Sequence, residues 1–172
     1  MIDTLKKIWN VISTAVVILA VLSAFFLMGT RLLGYRVFNV ISGSMSPHYN
    51  IGDLIYVKEV PPEQVKIDDP ITFVLNENLV VATHRVIEIN PEKQYFVTKG
   101  DANSTADATP VHFNNLIGIP QFSIPKLGYV SDFIQNPPGT YITIAIVGVL
   151  IILVFLPDMI KPSKKNKEEK ND

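Results

Sequence analysis

Residues 79–89 read LVVATHRVIEI. The run is rich in Val, Ile and Thr, contains no Gly or Pro, and suits a pleated, half-buried surface. It carries a histidine at its centre. Runs of the same kind recur on both sides: YRVFNVIS (35–42), GDLIYVKEV (52–60), DPITFVL (69–75), QYFVTKG (94–100) and LIGI (116–119). Between them stand NIGD, EVPPEQ, IDDP, LNENL, INPEK and GDANSTAD, clusters of Gly, Pro, Asn and Asp that turn a chain. No helical period is sustained between residues 35 and 119, and no internal repeat appears. The pattern predicts a mainly β fold, a compact barrel-like domain with one core, for which about 110 residues suffice.

Outside that region the chain turns apolar. Residues 8–28, IWNVISTAVVILAVLSAFFLM, hold no charge. At ~1.5 Å per residue they make roughly 31 Å of helix, about the thickness of a bilayer's hydrocarbon core. Asn10, Ser13, Thr14 and Ser23 are tolerable there, because short polar side chains bond to backbone or to a facing helix. A cleavable signal peptide would carry a shorter apolar stretch of ~7–15 residues, so a retained anchor is expected. Residues 140–157, centred on YITIAIVGVLIILVFL and closed by Pro157, predict a second transmembrane helix.

The basic flanks orient the chain. Lys6 and Lys7 precede the first span; Lys161, Lys164, Lys165, Lys167 and Lys170 follow the second. Both termini are therefore expected to be cytoplasmic, residues 1–7 as a short N-terminus and residues 158–172 as a basic tail. Residues 29–139 become an extracytoplasmic domain, with eight Lys/Arg against eleven Asp/Glu. Its last part, IPQFSIPKLGYVSDFIQNPPG (119–139), is a membrane-proximal segment that either packs along the domain or lies in the interface. The expected location is a membrane crossed twice, at the cell surface or in an endoplasmic-reticulum-like compartment. Net charge −1 gives no reason to expect nucleic acid as a partner. A mean hydropathy of +0.27 suits a chain partly dissolved in lipid. The absence of Cys excludes disulfides, a thiol nucleophile and Cys-ligated metal. The three histidines lack the i, i+4 spacing of a helical metal site, so no metal or cofactor is expected.

Three places could carry chemistry. Ser44 lies in NVISGSMSPHYNIGD, at the end of an apolar run, where Gly43 frees the backbone and Pro47 stiffens the exit. A serine on such a bend can offer both its hydroxyl and its own N–H to a substrate carbonyl. It needs a base, and His84, inside a strand, sits on a rigid element suited to that role; pairing with Glu88 is the alternative for it. His48 lines the serine's own loop, and His112 follows a proline without an evident partner. TKGDANSTAD (98–107) adds two carboxylates, Asp101 and Asp107, either of which could orient the histidine. Asn103-Ser104-Thr105 is a formal glycosylation acceptor, discounted because it falls within this loop.

SGSMSPHYNIGD (42–53), THRVIEI (83–89) and TKGDANSTAD together resemble the three catalytic boxes of signal peptidase I. The resemblance runs through LGYVSDFIQNPPG and covers most of residues 37–156. The common bacterial branch has lysine as base at the position of His84, so this chain resembles the endoplasmic-reticulum and archaeal type with a Ser/His/Asp site. Ser44-Met45 matches the family's serine–methionine motif, Gly100-Asp101 its glycine–aspartate box, and Asp107 its triad aspartate. The resemblance thus implies Ser44 as nucleophile, His84 as base, Asp107 as its orienting carboxylate and Asp101 as a residue shaping the site. The Ser42 hydroxyl and the Ser44 N–H would receive the oxyanion. It also implies removal of signal peptides from exported pre-proteins with small residues first and third before the cut. The lipid bilayer and the secretion translocon are the expected partners. Ser46 departs from the acidic residue common in the family. The rival reading is a membrane-tethered β binding or scaffold domain without activity.

Overall fold

The computed structural model describes residues 2–75 and 80–159. Among these residues seven strands form a single antiparallel sheet: β1 (Tyr35–Asn39), β2 (Leu54–Lys58), β3 (Pro70–Val74), β4 (Val81–Asn90), β5 (Tyr95–Lys99), β6 (Val111–His112) and β7 (Leu116–Ile124). Their order across the sheet is β1-β2-β7-β3-β4-β5-β6, curled into a half-barrel. Helices α1 (Ile2–Leu32), α2 (Leu127–Gln135) and α3 (Gly139–Met159) flank the strands in sequence. The chain forms two compact units. Leu19–Asp132 holds the whole sheet, and the other unit draws on Met1–Ile18 and Phe133–Asp172.

The apolar runs become strands because alternate residues find a common interior. Ile71, Phe73, Val86 and Phe96 are essentially inaccessible and pack with Val65 and Val111. Each such side chain contributes about 1.5–3 kcal/mol by leaving water. A second cluster gathers Met45, Tyr49, Ile55, Val57 and Ile117 beneath the β1–β2 connection. Three register shifts let the sheet curl, since an extra residue on one strand bends it and increases its twist. They fall between β2 and β7 at Tyr56/Val57, between β3 and β7 at Thr72/Phe73, and between β4 and β5 at Val86/Glu88.

All the predicted runs contain a strand, but the ends differ. β7 continues past LIGI through Pro120 to Ile124. Proline is tolerated here because Val57 pairs with Pro120 and Tyr56 with Phe122, leaving Gln121 as the extra residue of the bulge. Most of what remains of the membrane-proximal segment is α2. Tyr129 lies over Gly52, which has φ +88, so that any Cβ there would strike the phenol ring. Gly128 donates from its N–H to the Gly52 carbonyl at 2.9 Å.

The uncharged runs 8–28 and 141–156 lie within α1 and α3, and α3 continues beyond Pro157 to Met159. Among the described residues no single helix is long and apolar enough to cross a membrane. Leu127–Gln135 and Gly139–Ile152 meet that requirement only together, as a broken pair. Lys161, Lys164, Lys165, Lys167 and Lys170 of the expected basic tail lie outside the described residues.

Candidate active site

Ser44 rides on the connection between β1 and β2. The two legs of that connection are tied together: Val40 donates from its N–H to the Asp53 carbonyl at 2.9 Å, and Gly52 to the Val40 carbonyl at 2.8 Å. Asp53 is buried, and its carboxylate accepts from the Asn50 N–H at 2.9 Å and the Lys126 N–H at 3.3 Å. Met45 and Tyr49 drive the loop into the second core cluster, with Tyr49 N–H bonded to the Met45 carbonyl at 2.9 Å. Ser44, next to the buried Met45, stays half-buried, so its hydroxyl sits on an anchored bend rather than a free one.

His84 lies on β4, opposite Ile71 of β3. Its Nε2 is 3.1 Å from Ser44 Oγ, and its Nδ1 is 2.6 Å from Asp107 Oδ2. Both ring nitrogens are thereby engaged. A carboxylate only accepts, so the proton belongs on Nδ1 and the lone pair of Nε2 faces the serine. The imidazole and the carboxylate are largely buried, with side-chain exposures of 16% and 22%. Ser42 Oγ lies 3.2 Å from Ser44 Oγ. Glu88, the alternative partner for His84, is exposed beyond the β4 bulge.

The two carboxylates left open by the sequence are separated by their partners. Asp107 faces His84. Asp101 is taken by the neighbouring Arg85, whose Nε donates to Oδ1 at 2.8 Å and whose terminal nitrogen donates to Oδ2 at 2.6 Å. Adjacent strand residues point to opposite faces, which is why His84 and Arg85 reach different acids. The two-pronged bond from Arg85 holds the Asp101 carboxyl below its ordinary range, against the opposing effect of burial, and raises the guanidinium in turn. Arg85 also donates to the Asp68 carbonyl at 2.7 Å. Burial pushes the Tyr49 phenol up.

The acidic loop is joined directly to the Ser44 backbone. Ala102 donates from its N–H to the Ser44 carbonyl at 2.9 Å. Gly100 approaches so closely that a Cβ there would lie 2.6 Å from the same carbonyl oxygen. Sequence reading passed over Arg85 and Thr98. Thr98 is fully buried on β5; its hydroxyl donates to Asp107 Oδ2 at 2.6 Å, and its carbonyl accepts from the Asp107 N–H at 2.8 Å. The signal for Thr98 was its place two residues after Phe96 in an alternating strand, which aims it inward.

A hydroxyl, an imidazole and a carboxylate in contact in this order form the arrangement by which serine endopeptidases activate a nucleophile. No protein-family model matches the chain. Similarity is found to Signal peptidase I W of Bacillus subtilis, 34% identical over 122 residues, covering 65% of this chain and 64% of that one. It extends to the signal peptidase complex catalytic subunit SEC11 of Candida albicans, 30% identical over 121 residues, covering 64% of this chain and 71% of the subunit. The SEC11 subunit of Scheffersomyces stipitis is 29% identical over 127 residues, covering 68% and 75%. The chain belongs to the signal peptidase I family, on the side that holds Signal peptidase I W and SEC11. It spans just under two thirds of the Bacillus relative's length.

Proposed function

We propose that this chain is a membrane-bound serine endopeptidase that removes signal peptides from exported pre-proteins. The observation that carries the reading is the pair of contacts through the His84 ring, Nε2 to Ser44 Oγ at 3.1 Å and Nδ1 to Asp107 Oδ2 at 2.6 Å. That Ser–His distance lies within the roughly 2.6–3.2 Å reach a general base needs. Ser44 Oγ attacks the scissile carbonyl carbon as its proton passes to His84 Nε2. The tetrahedral intermediate collapses, and His84 returns that proton to the leaving amine. Water, deprotonated by the same imidazole, then attacks the acyl-serine; as the acyl–Oγ bond breaks, His84 returns that proton to Ser44 Oγ and the new carboxyl terminus is released. Asp107 keeps Nδ1 protonated and offsets the charge of the imidazolium in both halves of the cycle. The Ser44 N–H and the Ser42 hydroxyl face the developing oxyanion, and each such donor lowers the barrier by roughly 3–4 kcal/mol.

The substrate is an extended segment with small residues first and third before the cut, pairing with an exposed strand edge. The uncharged runs on α1 and α3 support insertion of both helices, with Lys6, Lys7 and the C-terminal lysines on the cytoplasmic side. Membrane attachment confines enzyme and signal peptide to one surface and raises their effective concentration. Relatives named as catalytic subunits of a signal peptidase complex favour a similar assembly for this chain.

The test is cleavage of a purified pre-protein carrying a small-x-small site by the detergent-solubilised chain and by Ser44→Ala. Cleavage after the second small residue, lost in the variant, is expected. Equal cleavage by both would take the nucleophile away from Ser44, and a folded wild type inert toward several such substrates would favour a binding domain.

A further inference from the structure

Thr98 touches the Ser44–His84–Asp107 chain and has no part in the steps above. We propose that it is a positioning residue: its hydroxyl, more than the loop carrying Asp107, holds the carboxylate in line with His84. The inference rests on the endopeptidase reading for its catalytic meaning, but not for its geometry.

Asp107 stands in a loop of small residues, GDANSTAD, whose side chains offer little packing to fix a carboxylate. What fixes it is a two-point grip by one strand residue. The Asp107 N–H binds the Thr98 carbonyl at 2.8 Å, and its Oδ2 accepts from the Thr98 hydroxyl at 2.6 Å. With the backbone and the carboxylate of Asp107 both tied to β5, the side chain between them has little room to turn. The anchor is itself rigid. Thr98 has no solvent exposure, and a β-branched residue in a strand has a restricted first torsion. Thr98 pairs in register with Val86, two residues along β4 from His84. Hydroxyl and imidazole therefore rise from neighbouring strands on the same face.

The choice of oxygen matters. Oδ2 receives Thr98 Oγ1 and His84 Nδ1, each at 2.6 Å. A carboxylate cannot donate, so the hydroxyl proton must point at Oδ2. A second donor spreads the charge of that oxygen and lowers its affinity for the Nδ1 proton. Thr98 thus sets both where the carboxylate points and how strongly it supports the imidazolium.

The experiment uses the full chain in detergent, as wild type, Thr98→Val and Thr98→Ser, each with Asp107 intact and as Asp107→Ala. One readout is the rate at which a fluorophosphonate labels Ser44, a step in which the serine oxygen bonds to phosphorus and fluoride leaves. The other is titration of the His84 ring by nitrogen-15 NMR, which needs no turnover. Thr98→Val should slow labelling about 10- to 100-fold, the loss expected for a hydrogen bond to a charged group. Thr98→Ser, which keeps the hydroxyl, should stay within about threefold of wild type, and with Asp107→Ala the Val change should cost less than about twofold. The His84 titration midpoint should move in Thr98→Val and not in Thr98→Ser.

A merely structural role predicts the opposite: losses that multiply in both backgrounds, and a Ser variant impaired by its missing methyl. That result overturns the proposal, as does wild-type labelling or an unmoved midpoint in Thr98→Val. If Thr98→Val fails to fold, Thr98→Ala carries the same expectations. A chain whose Ser44 never labels, but whose His84 responds to Thr98 only when Asp107 is present, would sink the endopeptidase reading and leave the positioning role standing.

Discussion

Gly100→Ala perturbs the candidate site without touching the side chains of Ser44, His84 or Asp107. The added Cβ would lie 2.6 Å from the Ser44 carbonyl oxygen and 2.8 Å from Asn103 Nδ2, where ordinary contacts begin near 3.4 Å. The Asn103 amide can swing aside. The Ser44 carbonyl cannot, because it belongs to the backbone and already accepts from Ala102 N–H at 2.9 Å. Relief therefore requires a separation of about 0.8 Å between the acidic loop and the Ser44 loop. Overpacking of this kind costs roughly 1–3 kcal/mol, and a displacement approaching 1 Å at a reacting group costs on the order of 10²-fold in rate. The expected result is a β domain that melts about 4 °C lower per kcal/mol and labels at Ser44 with a fluorophosphonate on the order of a hundredfold more slowly. Thermal unfolding and labelling rate, measured on the same preparation, check both parts. A variant that is fully active with an unchanged melting temperature would refute the claim that these two loops are held by direct backbone contact.

Asp107→Asn should fold normally but lose about 10⁴-fold in rate, as triads do when the histidine tautomer is no longer enforced; full activity would move the orienting role elsewhere. Asp101→Asn tests the ion pair with Arg85 through acid stability. The Asp101 carboxyl is held below its ordinary value of 3.8, so its contribution is complete above that value and is lost as pH falls through the lower folded-state value. The wild type should therefore out-melt Asp101→Asn at neutral pH, with a gap that closes only below about pH 4. A gap that stays constant down to pH 2 in thermal scans would contradict the pairing.

Much of this fold was legible because it rests on local rules. The apolar runs separated by Gly, Pro, Asn and Asp became strands, and the histidine read as strand-borne lies on β4. Ser44 and His84 come together across 40 positions of sequence, which no local pattern encodes. Local pattern left the choice between Asp101 and Asp107 open for the same reason, and only the family resemblance pointed to Asp107. It depends on Arg85 and His84 pointing to opposite faces of β4 and on where the acidic loop crosses them. β7 was cut short because Pro120 reads as a breaker, while the bulge that accommodates it arises only once β2 is alongside. The inward hydroxyl of Thr98 was visible as a polar residue at a core-facing position, but its acceptor comes from a loop nine residues on.

The order of strands carries a consequence for biosynthesis. Ser44 hangs between β1 and β2, whereas His84 and the acidic loop belong to β4 and β5. The two groups of strands are bridged by β7, the last strand of the domain to be made. A partly synthesised chain can pair β3 with β4 and β4 with β5, but β2 has no neighbour toward them until residues 116–124 arrive. Such long-range closure is the late and slow part of folding a β domain. Ser44 and His84 are therefore carried by parts of the sheet that β7 joins last. A chain that still lacks β7 carries Ser44 and His84 on two unjoined pieces of sheet.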